Sequence, residues 1–333
     1  EGRIKFSTGV DRIHFDKQQS EPAVNIYQPL KQHESSFVDL RGLRTHLHCW
    51  GPEDAPLLVM VHGWMDVGAS YQFVVDALKQ DYRVVAPDWR GFGLSDWPVA
   101  DGSPGIRSYW FPDYLADLDA LLDHFSPTQP ANLVGHSMGG NIAMMYAGVR
   151  PQRIRSVVNL EGFGMLDSPP EKAPKRYSNW LDEIKTPKEL RTYNSLEAVA
   201  KRLQKTNHRL SDEKAMYLAQ FWSRVENDGY SLLGDAAHKI MNPIGYRLAE
   251  AQACWSNIES PVLHVEAKQT EAGMWLSRAG EPVDFDAFRT RFHCVPNWKH
   301  VVVDNAGHMV HHDQPEVLAQ LIEAHIGQAA NAE

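Results

Sequence analysis

The segment that most constrains this chain is Gly135-His136-Ser137-Met138-Gly139, followed at once by Gly140. The apolar run Asn132-Leu133-Val134 enters it, and the small-residue stretch Asn141-Ile142-Ala143-Met144-Met145-Tyr146-Ala147 leaves it. The first reads as a buried strand and the second as a helix, so the pentapeptide has to turn one into the other. G-x-S-x-G in that setting is a strained turn that lifts a serine hydroxyl above a sheet edge. Side chains at Gly135 or Gly139 would collide where strand and helix are forced together. Ser137 is therefore the candidate nucleophile; the same five residues without their flanks would read equally well as a tight structural turn.

The flanks repeat the pattern. Leu57-Leu58-Val59-Met60-Val61 is a continuous apolar run, as a strand buried on both faces requires, and it ends in His62-Gly63-Trp64. A helix is predicted around 71–78, a strand over 82–86 ending in Pro87-Asp88-Trp89-Arg90-Gly91-Phe92-Gly93-Leu94-Ser95, and a helix over 114–122 before the elbow strand. After the elbow helix, 154–160 is a further strand ending at Glu161-Gly162. Strand and helix alternating in this way call for a mainly parallel α/β sheet flanked by helices, with functional groups at the carboxyl ends of strands. Ahead of this, two strands around Arg41-Gly42 predict an edge hairpin, and 1–36 reads as an extended arm.

From 163 to 256 the segments look helical, with prolines at the joints, and are expected to form a helical cap inserted into the sheet domain. That domain is then 37–162 plus 257–333, resuming with strands at 261–266 and 300–304 and closing with an amphipathic helix from 315 to 326. The 333 residues, 43% hydrophobic and 23% charged, suit a soluble enzyme with one large core. A net charge of −9 argues against nucleic acid as a partner. Three distant cysteines give neither a disulfide framework nor a metal spacing and point to the cytoplasm, although the chain starts at Glu1 and leaves a removed export signal open. No apolar run approaches the roughly 20 residues that span a bilayer.

A serine hydroxyl needs a base, and the base an orienting acid. His308 follows the last predicted strand and precedes the last helix, which puts an imidazole on the catalytic edge. His311, His312 and Asp313 lie close behind it, but the spacing matches no zinc motif, so no metal is expected.

Together, His62-Gly63-Trp64, the run Asp88 to Ser95, Gly135 to Gly140 and Gly307-His308 resemble the ordered motifs of the α/β-hydrolase superfamily. The resemblance covers the sheet domain but not the cap. It implies an oxyanion hole at the backbone N–H groups of Trp64 and Met138, a structural role for Asp88, and no cofactor. Most members carry the acid after the strand that follows the cap, yet Thr270 stands there, and a threonine cannot stabilise an imidazolium by charge. Glu161 ends the strand after the elbow helix, a position that haloalkane dehalogenases of the same superfamily use for their acid; it keeps the order nucleophile, acid, base. Glu266 and Glu271 are the alternatives. The expectation is a Ser137-His308-Glu161 hydrolase of small-molecule carboxylic esters, of undetermined oligomeric state. A thioesterase, lactonase or carbon–carbon bond hydrolase would share the triad, and a non-catalytic ligand receptor is the reading from another class. The basic residues Lys201, Arg202, Lys205 and Arg209 read as a solvated face, and most cap aromatics as helix packing.

Overall fold

The computed structural model describes residues 25–98, 108–186, 188–277 and 283–330. The polar stretch 17–22 within the expected arm lies outside the described residues. Before the elbow the strands are β1 (Glu34–Leu40), β2 (Leu43–Trp50), β3 (Leu57–Val61) and β4 (Arg83–Pro87); β5 (Ala131–His136) enters it. The later strands are β6 (Ile154–Leu160), β7 (Thr192–Tyr193), β8 (Ser223–Glu226), β9 (Gly229–Leu232), β10 (Val262–Ala267) and β11 (Trp298–Val303). The helices are α1 (Gln72–Ala77), α2 (Phe111–Phe125), α3 (Met138–Val149), α4 (Ala173–Glu183), α5 (Leu196–Thr206) and α6 (Asp212–Trp222). After these come α7 (Leu248–Trp255), α8 (Gly273–Leu276), α9 (Phe285–Thr290), α10 (Val310–Asp313) and α11 (Pro315–Ala330).

Eight strands form one sheet in the order β1-β2-β4-β3-β5-β6-β10-β11. From β4 onward the pairings are parallel, whereas β1 with β2 and β2 with β4 are antiparallel. The expected edge hairpin is present, turning through Arg41 and Gly42, which hold φ values of 57° and 79°. Positive φ at both turn residues matches the right-handed twist of the strands it joins.

Alternation along each strand explains why its apolar run is unbroken. Leu58 and Met60 of β3 pack with Val134, Val158 and Val265 against α1 and α11 on one face. Val59 and Val61 pack with Leu133 and Val157 against α2 and α3 on the other. Each strand therefore needs apolar residues at both parities.

Three regions differ from the sequence reading. β1 starts at Glu34, and the described residues before it, 25–33, are anchored: Tyr27 donates its hydroxyl to Asp76 at 2.7 Å and packs on Phe73. The inserted segment is not wholly helical, because β7, β9 and β8 form a three-stranded antiparallel sheet within it. Its hairpin turns at Asn227 and Asp228, with φ of 47° and 62°. Asn-Asp-Gly at 227–229 is a hairpin signal that the helical pattern overshadowed. Finally, α7 lies against the sheet domain, with Ala251 and Trp255 buried in the same core as Ile142 and Ala147 of α3. Among the described residues no helix is long and apolar enough to cross a membrane.

The α3–α7 contact makes a paired prediction. A Cβ on Gly148 would lie 2.0 Å from the Cys254 carbonyl oxygen, whereas one on the exposed Gly327 of α11 meets nothing within 4 Å. Gly148→Ala is expected to destabilise by about 1–3 kcal/mol, by forcing the helices apart. Gly327→Ala is expected to stabilise by about 0.5–1 kcal/mol through restriction of the unfolded chain. Denaturant unfolding of both variants checks the signs.

Candidate active site

β5 delivers Ser137 into a backbone conformation with φ 51° and ψ −112°, and α3 starts at the next residue. The Ser137 N–H donates to the Leu160 carbonyl at 2.7 Å and its carbonyl accepts from Asn141 N–H at 3.0 Å, so the turn is pinned from both sides. Met138 is the first residue of α3, where backbone N–H groups lack partners inside the helix. The loop after β3 runs beside this turn: a Cβ on Gly63 would come within 3.2 Å of the Ser137 Cβ. Trp64 is thus the residue next to the close approach. His62 fixes that loop, bonding the Gly63 carbonyl through Nδ1 at 2.7 Å and accepting the Trp89 N–H on Nε2 at 2.9 Å. Burial holds His62 below the usual imidazole range, which suits a neutral ring with one donor and one acceptor.

His308 sits between β11 and α10, and three contacts hold it. Its backbone N–H donates to Glu271 Oε2 at 2.6 Å, and its carbonyl accepts from His136 Nε2 at 2.8 Å. Its ring Nδ1 donates to Glu161 Oε2 at 3.0 Å. His136 is the residue before Ser137, so the elbow itself grips the histidine loop.

Glu161 lies at the end of β6 with φ 57°, a left-handed conformation rarely adopted by glutamate. Asn159 shapes the turn, donating to the Gly162 carbonyl at 2.8 Å and accepting its N–H at 3.0 Å. The buried carboxylate accepts the Ala267 N–H on Oε1 at 2.6 Å, and the Thr270 hydroxyl and His308 ring on Oε2. Burial raises its pKa above the ordinary glutamate value, although His308, Thr270 and the Ala267 N–H all act to lower it.

The other two glutamates are engaged elsewhere. Glu266 forms a bidentate pair with Arg289, at 2.8 and 2.5 Å, and accepts from His300 at 2.9 Å. Glu271 accepts the His308 backbone N–H on one oxygen, and its other oxygen accepts Arg209 Nη1 at 2.9 Å. Arg209 therefore leaves the solvated basic face to which its spacing assigned it. Asp313 is likewise consumed, by Asn207 and by the Gly307 N–H, both at 2.8 Å. Thr270 is the residue the sequence undervalued. It occupies the position of the absent aspartate yet supplies a hydroxyl to the carboxylate that arrives from β6; its location was the only signal.

A carboxylate, an imidazole and a serine turn gripped by the same loop form the arrangement in which an imidazole can take a hydroxyl proton while its own charge is balanced. Between the loop after β3 and the inserted segment, Met65, Asp66, Val67, Phe92, Trp222, Leu232, Leu233 and Gly234 line a cavity of about 10 Å³, the size of one water molecule. Asp88 accepts from His46 Nδ1 at 2.7 Å and from the N–H groups of Gly68 and Leu94 at 2.8 and 3.0 Å. It braces the loops around the site.

The profile of the alpha/beta hydrolase fold matches residues 56–315. The AB hydrolase superfamily protein YfhM of Bacillus subtilis is 28% identical over 86% of this chain and 95% of its own length. The serine hydrolase-like protein of Danio rerio is 28% identical over 69% of each chain. Among solved structures, the thioesterase domain from the curacin biosynthetic pathway superposes with a TM-score of 0.75 at 26% identity, over 87% of this chain and 99% of that one. With its mainly parallel eight-stranded sheet and a family match across most of its length, the chain belongs to the alpha/beta hydrolase fold family and is a hydrolase.

Proposed function

We propose that the protein is a serine hydrolase that cleaves carboxylic esters through an acyl-enzyme. The observation that carries this is the His308 Nδ1 to Glu161 Oε2 contact of 3.0 Å, at a strand end adjacent to the serine turn. His308 draws the proton from the Ser137 hydroxyl as the oxygen attacks the ester carbonyl. The negative charge that develops on the carbonyl oxygen is taken by the N–H groups of Trp64 and Met138, each such donor contributing about 3 kcal/mol. His308 then protonates the leaving alcohol, and water, activated in the same way, releases the acid from Ser137. Glu161 stabilises the imidazolium at each stage, with its charge kept in place by Thr270 and Ala267. A thioester substrate is the second reading, supported by the thioesterase domain that superposes over most of both chains.

Hydrolysis of p-nitrophenyl esters from acetate to palmitate, against N-acetylcysteamine thioesters of matched acyl length, separates the two. Ser137→Ala is expected to lower kcat by at least about 10⁴-fold, and Glu161→Gln by about 10²–10⁴-fold. Near-full activity in Glu161→Gln would refute the acid assignment, and preference for the thioester would decide for the second reading.

Glu266 gives the contrasting case. Burial pushes its carboxyl up, but Arg289 and then His300 outweigh burial and hold it at about 2, against an ordinary value of 4.5. A depressed pKa adds stability above the unfolded value, and that stability is lost as pH falls through the folded value. Glu266→Gln is expected to cost about 2 kcal/mol of stability at neutral pH, a figure discounted because Arg289 is 30% exposed. The difference from the parent should shrink between pH 4.5 and about 2, while kcat stays within about twofold. Urea unfolding across that range, with ester assays at neutral pH, measures both.

A further inference from the structure

Among the described residues, two buried clusters of histidine and aspartate lie outside the Ser137, His308 and Glu161 group; each holds a histidine with both ring nitrogens unpaired, and the hydrogen bonding of the carboxylates separates them. In the first, His46, His48 and Asp88, the carboxylate is satisfied on both oxygens by His46 and by the N–H groups of Gly68 and Leu94. Such an aspartate is a strut.

The second, Asp66, His311 and His312, is different. Asp66 Oδ1 accepts the Val67 N–H at 2.9 Å and the Ser70 hydroxyl. Asp66 Oδ2 has no hydrogen-bond donor, and neither ring nitrogen of His311 or of His312 has a hydrogen-bond partner. The contact of His311 Nε2 with Asp66 Oδ2 is 3.7 Å, within ion-pair range but too long for a hydrogen bond. The three residues are 3%, 0% and 4% exposed, so bulk water does not reach these atoms. Unpaired buried polar atoms are destabilising, and a set of them in one place calls for a common partner. One ligand atom from each residue lies within 4.8 Å of the other two.

The geometry points to a site for a divalent transition metal, of the Zn²⁺ type, held by Asp66, His311 and His312. Two imidazoles and one carboxylate suit Zn²⁺ or Co²⁺ rather than the oxygen-seeking Ca²⁺ and Mg²⁺. Tetrahedral bonds of about 2.0–2.2 Å put ligand atoms roughly 3.3–3.6 Å apart, so from separations within 4.8 Å the side chains close by up to about 1.5 Å. Lys214 approaches the cluster, but its ammonium is taken by the His312 carbonyl at 2.9 Å and does not reach the ring nitrogens. The spacing of His308, His311, His312 and Asp313 had given no metal motif; the fold instead assembles a set that includes Asp66, from the far side of the chain. Buried this deeply, the ion is taken up as the chain folds. It ties the loop carrying Trp64 to the helix that follows His308, and it does so whatever acyl group the enzyme accepts.

Elemental analysis of the full chain, produced in zinc-supplemented medium and then desalted, is expected to give about one zinc per chain. The content should fall at least about tenfold in Asp66→Asn and in His312→Gln, but not in His48→Gln. If the first two variants do not fold, Co²⁺-loaded parent protein decides. It should show the intense visible absorption of a four- or five-coordinate ion, with two hyperfine-shifted, exchangeable imidazole N–H proton signals. Less than about a tenth of an equivalent in the parent overturns the site. So do zinc retained in both variants and a Co²⁺ spectrum without shifted imidazole protons, leaving ordered water as the partner of these atoms.

Discussion

The backbone contact at Gly135 and Gly139 governs the rest of the molecule. A Cβ on Gly135 would lie 2.3 Å from the Gly139 carbonyl oxygen, and one on Gly139 would lie 2.1 Å from that of Val61. Helix α3 therefore meets β5 and β3 main chain to main chain, closer than any side chain permits. This proximity forces Ser137 to a φ of 51°, a conformation that costs about 1–3 kcal/mol and persists only where the surroundings over-determine it. Here they do, because the Ser137 N–H and carbonyl are both committed, the flanking strand is buried throughout and the helix is buried along most of its length. Ser137 is consequently held between a buried strand and a helix start rather than on a loop.

Around it, the acidic side chains inside the protein are matched with imidazoles in very different ways. Glu266 has Arg289 beside His300, so its charge is balanced by a group that never loses its proton. Asp88 has His46, whose other nitrogen is capped by the Ser35 hydroxyl at 2.6 Å, in a pair only 2% exposed. Glu161 is balanced by His308, whose side chain is 13% exposed while the carboxylate is fully enclosed. Of these three pairs it alone combines a protected negative charge with an imidazole open to an outside reactant. Burial and a single titratable neighbour, rather than the glutamate itself, give this carboxylate its chemistry.

The mainly parallel sheet and its edge hairpin were legible because they rest on local chemistry, apolar runs and glycines at forced turns, and the same local signals made Ser137, His308 and Glu161 candidates as polar residues at strand ends. Thr270 was legible as a vacancy but not as a partner, since its bond to Glu161 joins residues 109 apart in sequence. The three-stranded sheet of the inserted segment was hidden by its size, for β7 has two residues and no periodicity can register in two. Arg209 looked like one of a helical series with Lys201, Arg202 and Lys205, but α5 ends at Thr206 and the chain turns inward. Buried histidines such as His311 and His312 leave no sequence mark at all, because their burial depends on what α1 and α6 bring against them.

Glu271 carries one oxygen on Arg209, between α5 and α6, and the other on the backbone N–H of His308. Asp313 repeats the arrangement between Asn207 and Gly307. Two carboxylates thus rivet the turn between α5 and α6 to the loop that holds the imidazole. For a lineage of such proteins this limits what can change independently. Substitutions at 207–209 reach the histidine loop as well, so the inserted segment and that loop have to change together, in coupled rather than successive steps.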